Sequence, residues 1–209
     1  MSDANRTHIG DGAVRAAGGM WLLGLVGAAV VLLGMGGSQV EHVLRYERTA
    51  VVEAGEYWRL LTAHLVHLSG RHMALNLAGL LVIAVLFPRQ YSPAAWLGIG
   101  LASAAVIDIG FLWNDPELAW YVGLSGVLHG ALAAGAVAWW RTQSKLFAFL
   151  LSALLAGKLT WEQWFGTSSM AGEIPVVVDA HLYGAVGGLI AGLGVEFARR
   201  LWPGKARPL

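Results

Sequence analysis

Residues 121–130 read YVGLSGVLHG and open an apolar run that continues to residue 140. Ser125 stands between small residues in this run, and His129 follows it one helical turn later. A Gly-x-Ser-Gly segment alone is a weak signal, because serine and glycine are common wherever helices pack closely. Its meaning depends on the sequence around it.

Composition places this segment in a membrane protein. Hydrophobic residues make up 56% of the 209 residues and charged residues 13%, about half the charged share of a soluble domain. The net charge of +1 gives no indication of nucleic-acid binding. The chain has no cysteine, which excludes a thiol nucleophile, a thiolate metal site and a disulfide.

Six segments approach the roughly 20 apolar residues that a membrane-spanning helix needs. We expect spans near 18–37, 70–88, 93–113, 122–140, 145–161 and 177–201. The segment 38–69 is expected to lie on or partly in the outer interface. Because no repeat of 20–50 residues is found, the sequence predicts one all-α membrane domain, a six-helix bundle over residues 1–209.

The end of the fifth span is the least certain boundary. Lys158 and Glu162 lie there among aromatic residues that are typical of a membrane interface, namely Trp161, Trp164 and Phe165. We place Glu162 outside the span, on the outer side.

Basic residues predict the orientation, because lysine and arginine prefer the cytoplasmic side. With the N-terminus inside, five of the 14 basic residues fall in outer segments. The other nine lie in cytoplasmic segments: Arg6, Arg15, Arg89, Arg141, Lys145, Arg199, Arg200, Lys205 and Arg207. We therefore expect both termini in the cytoplasm.

Four polar side chains from three spans are expected at one depth near the outer surface. Ser125 enters the fourth span from outside, and His181 lies about one turn into the sixth. His72 and Asn76 are four residues apart and share one face of the second span. Polar groups inside membrane helices are costly, so each is a candidate site residue.

These side-chain types are suited to acyl transfer. A serine hydroxyl becomes a nucleophile when a base takes its proton, and histidine does so near neutral pH. Asparagine and histidine side chains, with a serine backbone amide, can donate to a developing oxyanion. Gly126 and Gly130 on the fourth span, and Gly184 and Gly188 on the sixth, would let the two backbones approach closely.

Two further residues compete for roles in this layer. His129 shares a helix face with Ser125, but a same-helix pair aims its side chains poorly, so we favour contact between His129 and His181. Asp108 lies near the outer end of the third span and is a candidate third member that orients a histidine. The alternative is an Asp108 that is protonated or paired with a neighbouring helix.

A group of histidines precedes and enters the second span: His64, His67 and His72. Their spacing matches no metal-binding motif, and the segment HLVH lacks the glutamate of His-Glu-x-x-His. We expect no metal and no cofactor.

The run WRLLTAHLVHLSGRHMALNL, residues 58–77, resembles the rhomboid intramembrane serine proteases. That family carries a Trp-Arg pair in its first outer loop, here Trp58-Arg59, and a His-x-x-x-Asn motif, here at His72 and Asn76. Its Gly-x-Ser-Gly and Ala-His-x-x-Gly motifs also occur here, at 123–126 and 180–184. The motifs follow the family order over roughly residues 57–192.

The resemblance implies a six-span rhomboid-like fold and specific residue roles. Ser125 would be the nucleophile and His181 the general base of a dyad. His72, Asn76 and the Ser125 amide would form the oxyanion hole. Supporting positions would be Gly123, Gly126, His129, Gly184, Trp58 and Arg59. Such enzymes cleave membrane-anchored proteins near the outer face of the membrane.

His129 stands where many rhomboids have a tyrosine, and this resembles the bacterial rhombosortase branch. That likeness implies substrates with a C-terminal Gly-Gly-type motif, an apolar sorting helix and a basic tail. It also implies a multi-pass protein of the bacterial cytoplasmic membrane whose site faces the periplasm or exterior. The expected partners are these substrates and the lipid bilayer, with no nucleic acid.

A second interpretation is a non-catalytic membrane protein that binds helices or transports a solute through the same polar layer. The presence of both Ser125 and His181 argues against it. The absence of a detectable internal repeat argues mildly against a transporter.

Overall fold

Helices account for most of the described chain, as the apolar runs predict. The computed structural model describes residues 21–166 and 176–202. In chain order the elements are α1 (described from Trp21 to Met35), α2 (Gly37–Leu44), β1 (Tyr46–Glu47), α3 (Arg48–Val52), α4 (Arg59–Thr62), α5 (Gly70–Leu86), α6 (Pro93–Trp113), β2 (Trp120–Tyr121), α7 (Ser125–Thr142), α8 (Lys145–Phe165) and α9 (Val178–Leu201).

Serine side chains cap three of the long helices. Ser69, Ser92 and Ser144 accept hydrogen bonds from backbone N–H groups in the first turns of α5, α6 and α8, at 3.2–3.3 Å. Such caps satisfy amides that have no helical acceptor. These local signals explain why the three helices begin within one residue of the predicted starts at 70, 93 and 145.

Two described helices, α6 and α9, are long and apolar enough to cross a membrane, judged by length and composition. A third span results if α1 and α2 are taken together, although they are bent by 116°. α5 is apolar but has 17 residues. The predicted count of six spans therefore stays a prediction.

The fifth helix extends further than the sequence suggested. α8 continues to Phe165, beyond the predicted end at 161, and includes Glu162. The helix therefore includes Glu162, whose expected position on the outer side stays a prediction. Lys158 pairs with Glu162 one turn later, at 2.6 Å between Nζ and Oε1, so the two charges satisfy each other within the helix.

α9 packs closely against α7 through glycine. A Cβ added to Gly126 would lie 2.7 Å from the Ala180 carbonyl oxygen, and one on Gly184 would overlap the Gly126 carbonyl oxygen. One turn further, a Cβ on Gly188 would overlap the backbone of Gly130. Only glycine permits this approach, which brings the helix that carries Ser125 against the helix that carries His181.

The segment 38–69, called the outer segment after its expected position, forms α2, β1, α3 and α4. β1 pairs antiparallel with β2, and Tyr46 lies opposite Tyr121. Arg48 donates to the carbonyls of Phe111 and Leu112 at the end of α6, at 2.9 and 3.1 Å. These contacts anchor the segment to the helices below it.

The same segment exposes apolar side chains: Val43, Val52, Tyr57, Trp58 and Leu61. Such side chains are compatible with the expected position at the membrane interface, which stays a prediction.

Candidate active site

Ser125 is the first residue of α7 and follows a tightly fixed turn. Gly123 has φ +124°, a conformation that residues with side chains rarely adopt. Its N–H donates to the Ala63 carbonyl at 2.9 Å, and its carbonyl accepts from the Tyr121 hydroxyl at 2.7 Å. The Ser125 N–H belongs to the first helical turn, where amides lack a helical acceptor. The turn thus leaves a donor beside the serine hydroxyl.

Tyr121 is suited to hold this turn because it remains neutral. Burial raises the pKa of its hydroxyl above the usual range. A neutral hydroxyl keeps the proton that it donates to the Gly123 carbonyl.

Ser125 and His181 meet across the glycine contact between α7 and α9. The Ser125 Oγ lies 2.9 Å from the His181 Nε2, a hydrogen-bonding distance. His181 is 5% exposed. Two side chains separated by 55 intervening residues therefore form the contact that the spacing of motifs suggested.

The other ring nitrogen of His181 contacts Glu162 on α8. The Nδ1 lies 2.9 Å from Glu162 Oε2, while Glu162 Oε1 accepts from Lys158 Nζ. Sequence reasoning missed this carboxylate because it placed Glu162 just beyond the span, on the outer side. The signal that could have revealed it is a Lys-x-x-x-Glu pair, four residues apart, inside an otherwise apolar helix.

His129 lies against the face of the His181 ring, where the sequence interpretation put it. The ring centroids are 4.1 Å apart and the planes differ by 18°. His129 Nδ1 lies 2.7 Å from the Ser125 backbone carbonyl, which can only accept, so Nδ1–H is the donor. This nitrogen is therefore occupied by the Ser125 backbone and not by the Ser125 hydroxyl.

His72 and Asn76 line the same cavity as Ser125 and His181, which has a volume of about 530 Å³. A Cβ on Gly123 would lie 2.8 Å from the His72 ring, so the glycine also makes room for that ring. The Asn76 amide nitrogen donates to the His72 carbonyl at 3.0 Å, which fixes the amide plane.

His67 lies in the loop before α5 and contacts the His72 ring edge to face, with centroids 5.0 Å apart. Burial, together with the nearby His72, lowers the pKa of His67 to about 4. His67 is therefore neutral at pH 7.

Asp108 does not contact His181. It faces His64, with 3.6 Å between Oδ1 and Nε2. The hypothesis that Asp108 is the third member is corrected on this point, since the carboxylate beside His181 is Glu162. Asp108 lies near the C-terminal end of α6, as predicted, but its side chain faces His64 of the outer segment.

Trp58 and Arg59 lie outside the cavity. Arg59 is 8% exposed and donates to the carbonyls of His42 and Arg45, each at 2.9 Å, and to Glu56. Trp58 is 52% exposed. Arg59 therefore stabilises the outer segment by hydrogen bonds, whereas Trp58 exposes an apolar side chain at its surface.

His129, Glu162 and His181 each place one potential metal ligand within 4.8 Å of the others. A metal ion lies close to the plane of an imidazole that binds it. Because the two rings are stacked and nearly parallel, their planes do not meet at a common ion. Both carboxylate oxygens of Glu162 already accept hydrogen bonds. The arrangement suits a hydrogen-bonded chain better than metal binding.

The family model of the Rhomboid domain matches residues 54–196, more than half of the chain. The chain is 26% identical over 123 residues to Inactive RHOMBOID-like protein 8 of Arabidopsis thaliana, covering 57% of this chain and 35% of that protein.

Two relatives come from Bacillus subtilis (strain 168). Rhomboid protease GluP is 30% identical over 88 residues, which is 42% of this chain and 17% of that protein. Putative rhomboid protease YdcA is 30% identical over 79 residues, 38% of this chain and 40% of that protein. The matches span less than half the length of each of these relatives. The family model, extending over all the elements that carry the site, identifies the chain as a member of the rhomboid family.

Proposed function

We propose that the protein is an intramembrane serine endopeptidase in which Ser125 is the nucleophile and His181 the general base. The observation that carries this proposal is the 2.9 Å distance between Ser125 Oγ and His181 Nε2 at the wall of a cavity. Membership of the rhomboid family supports proteolysis as the reaction.

The reaction follows from the groups present. Ser125 Oγ attacks the scissile carbonyl carbon while its proton passes to His181 Nε2, and the carbonyl π electrons move to oxygen. The N–H of Ser125 and the side chains of His72 and Asn76 stabilise the oxyanion. His181 then protonates the leaving amine, and water hydrolyses the acyl-enzyme by the reverse proton transfers.

We further propose a six-span topology with both termini in the cytoplasm and the cavity open towards the periplasm or exterior of a bacterial cell. The bias of basic residues supports this orientation. Because the chain has no cysteine, single cysteines introduced at Ser144 and Glu117 give a clean test. A membrane-impermeant maleimide should label the cysteine at 117 in intact cells and the cysteine at 144 only after lysis; the reverse pattern would overturn the orientation.

The proposed substrates are membrane-anchored proteins with rhombosortase-type C-terminal tails, formed by a Gly-Gly-type motif, an apolar helix and basic residues. The presence of His129 in the Gly-Leu-Ser-Gly-Val-Leu-His-Gly segment supports this choice. A reporter with such a tail should be cleaved in the presence of the protein. Cleavage that is unchanged when Gly-Gly is replaced by Val-Val would argue against this specificity.

The decisive test of the activity is labelling of purified, lipid-supplemented protein with a fluorophosphonate probe. Wild type should be labelled, and Ser125→Ala should not be. An unlabelled, folded wild type would favour the second candidate, a non-catalytic helix-binding protein or transporter. The similarity to an inactive rhomboid-like relative is the observation that supports this second candidate.

A further inference from the structure

We propose that Glu162 is a positioning residue that orients His181, so that the site operates as a Ser–His–Glu chain rather than a dyad. This inference rests on the proposed function. Its basis is an unbroken series of contacts: Ser125 Oγ to His181 Nε2 at 2.9 Å, and His181 Nδ1 to Glu162 Oε2 at 2.9 Å.

The carboxylate determines which nitrogen of His181 carries the proton. Glu162 also lies 2.6 Å from the Lys158 ammonium, which favours the ionised carboxylate, and an ionised carboxylate only accepts. The proton of neutral His181 is therefore on Nδ1. The lone pair on Nε2 then faces the Ser125 hydroxyl, as a general base requires.

Two further contacts hold this geometry. The His129 ring stacks on one face of His181 and restricts its rotation. His129 uses its own Nδ1–H on the Ser125 carbonyl, so it does not compete for Glu162. Glu162 is 8% exposed, which limits screening of its charge by water.

Glu162 acts on the reaction through His181 alone. When Ser125 attacks, its proton moves to Nε2 and the ring becomes an imidazolium, which the adjacent carboxylate stabilises. Glu162 itself takes up no proton, and the proton on Nε2 passes to the leaving amine. Lys158 lines the cavity, whereas Glu162 is not among its lining residues. Substrate binding should therefore not depend on Glu162.

The competing explanation is structural: Glu162 pairs with Lys158 and joins α8 to α9, without affecting the chemistry. The two explanations differ in what the Lys158 partner contributes. A structural ion pair fails when either member is removed, but a carboxylate that orients His181 keeps its role without Lys158.

The test is the Glu162→Gln variant, because glutamine preserves the shape and removes the charge. Its amide can donate to Nδ1 and thereby favour the tautomer with the proton on Nε2, which cannot accept from Ser125. We expect the rate of fluorophosphonate labelling and kcat for a tail reporter to fall on the order of 10²- to 10⁴-fold. KM should stay near the wild-type value.

Matched variants separate the explanations. Lys158→Met should lower the labelling rate less than Glu162→Gln does, because the carboxylate and its contact with His181 Nδ1 remain. Asp108→Asn, which alters the other histidine–carboxylate pair, should label at the wild-type rate. Glu162→Asp keeps the charge on a shorter side chain and should retain more activity than Glu162→Gln. If Glu162→Gln does not fold, the activity of Glu162→Asp relative to wild type still tests the inference.

The outcomes distinguish this inference from the proposed function. If wild type is labelled and a folded Glu162→Gln is labelled at the same rate, the inference fails and the dyad remains. Equal losses in Lys158→Met and Glu162→Gln, or a rise in KM with kcat unchanged, would likewise overturn it. If Ser125 in wild type is not labelled at all, the proposed function fails and this inference fails with it.

Discussion

Among the described residues, two buried histidines form a close pair with a carboxylate, and the two pairs differ in what surrounds them. His181 and Glu162 are 2.9 Å apart, and the free ring nitrogen of His181 reaches Ser125. His64 and Asp108 are 3.6 Å apart, too far for a normal hydrogen bond, and the His64 ring meets the Tyr121 ring, with centroids 5.6 Å apart.

The difference shows that residue types alone do not tell which histidine is placed to exchange a proton with a serine hydroxyl. Both histidines are nearly inaccessible, at 5% and 3% exposure, and both have an acid nearby. Of the two, only His181 combines a close carboxylate, a serine hydroxyl and a place in the cavity lining. His64 instead belongs to the contacts that hold the outer segment against α6.

The largest expected effect is the loss of Ser125 labelling in His181→Gln, for which His64→Gln is the matched variant. Loss of the general base should lower the labelling rate of Ser125 on the order of 10³-fold or more. His64→Gln should label at close to the wild-type rate while lowering thermal stability, because Asp108 loses its histidine. The test is to measure the labelling rates of both variants after showing that both are folded. A large fall in the labelling rate of His64→Gln would contradict the proposed difference between the two histidine–carboxylate pairs.

A second prediction concerns the close packing that brings Ser125 to His181. Gly184→Ala places a methyl group onto the Gly126 carbonyl oxygen, which cannot move aside without shifting α7. We expect a loss of about 1–3 kcal/mol in the free energy of unfolding, and slower labelling as the two side chains separate.

The matched control for that prediction is Gly194→Ala on the same helix, where nothing lies within 4 Å of the added methyl group. Stability there should be unchanged or higher by up to about 1 kcal/mol, because alanine favours the helix. Denaturation in detergent measures both variants. Equal effects would show that the contact between α7 and α9 is not tight.

The smallest effect is expected from His67, close in sequence to His64. Its pKa is about 4 in the folded protein and about 6.5 in an unfolded chain. Below pH 6.5 the unfolded state binds a proton that the folded state refuses, so stability falls as the pH drops from 6.5 towards 4. His67→Gln should therefore show a smaller decrease in melting temperature between pH 7 and pH 5.

The control for that comparison is His42→Gln, because His42 also lies in the outer segment but is exposed. An identical pH dependence in wild type and His67→Gln would contradict the assignment of a lowered pKa.

Sequence alone located the long helices and several residues of the candidate site. Continuous apolar runs and serine caps fixed the starts of α5, α6 and α8, because these signals are local. The types and spacing of Ser125 and His181 indicated acyl transfer, because few side-chain combinations activate a hydroxyl near neutral pH. Glycines four apart indicated a close helix contact, which the packing of Gly126 against Gly184 confirms.

Tertiary structure decided which acid serves which histidine. Asp108 and Glu162 both lie near the C-terminal ends of their helices, so position along the helix could not separate them. The rotation of each helix about its axis directs Asp108 to His64 and Glu162 to His181. That rotation depends on packing between residues far apart in sequence, here the backbone contact of α7 with α9 and the position of α8 beside them, and no local pattern specifies it.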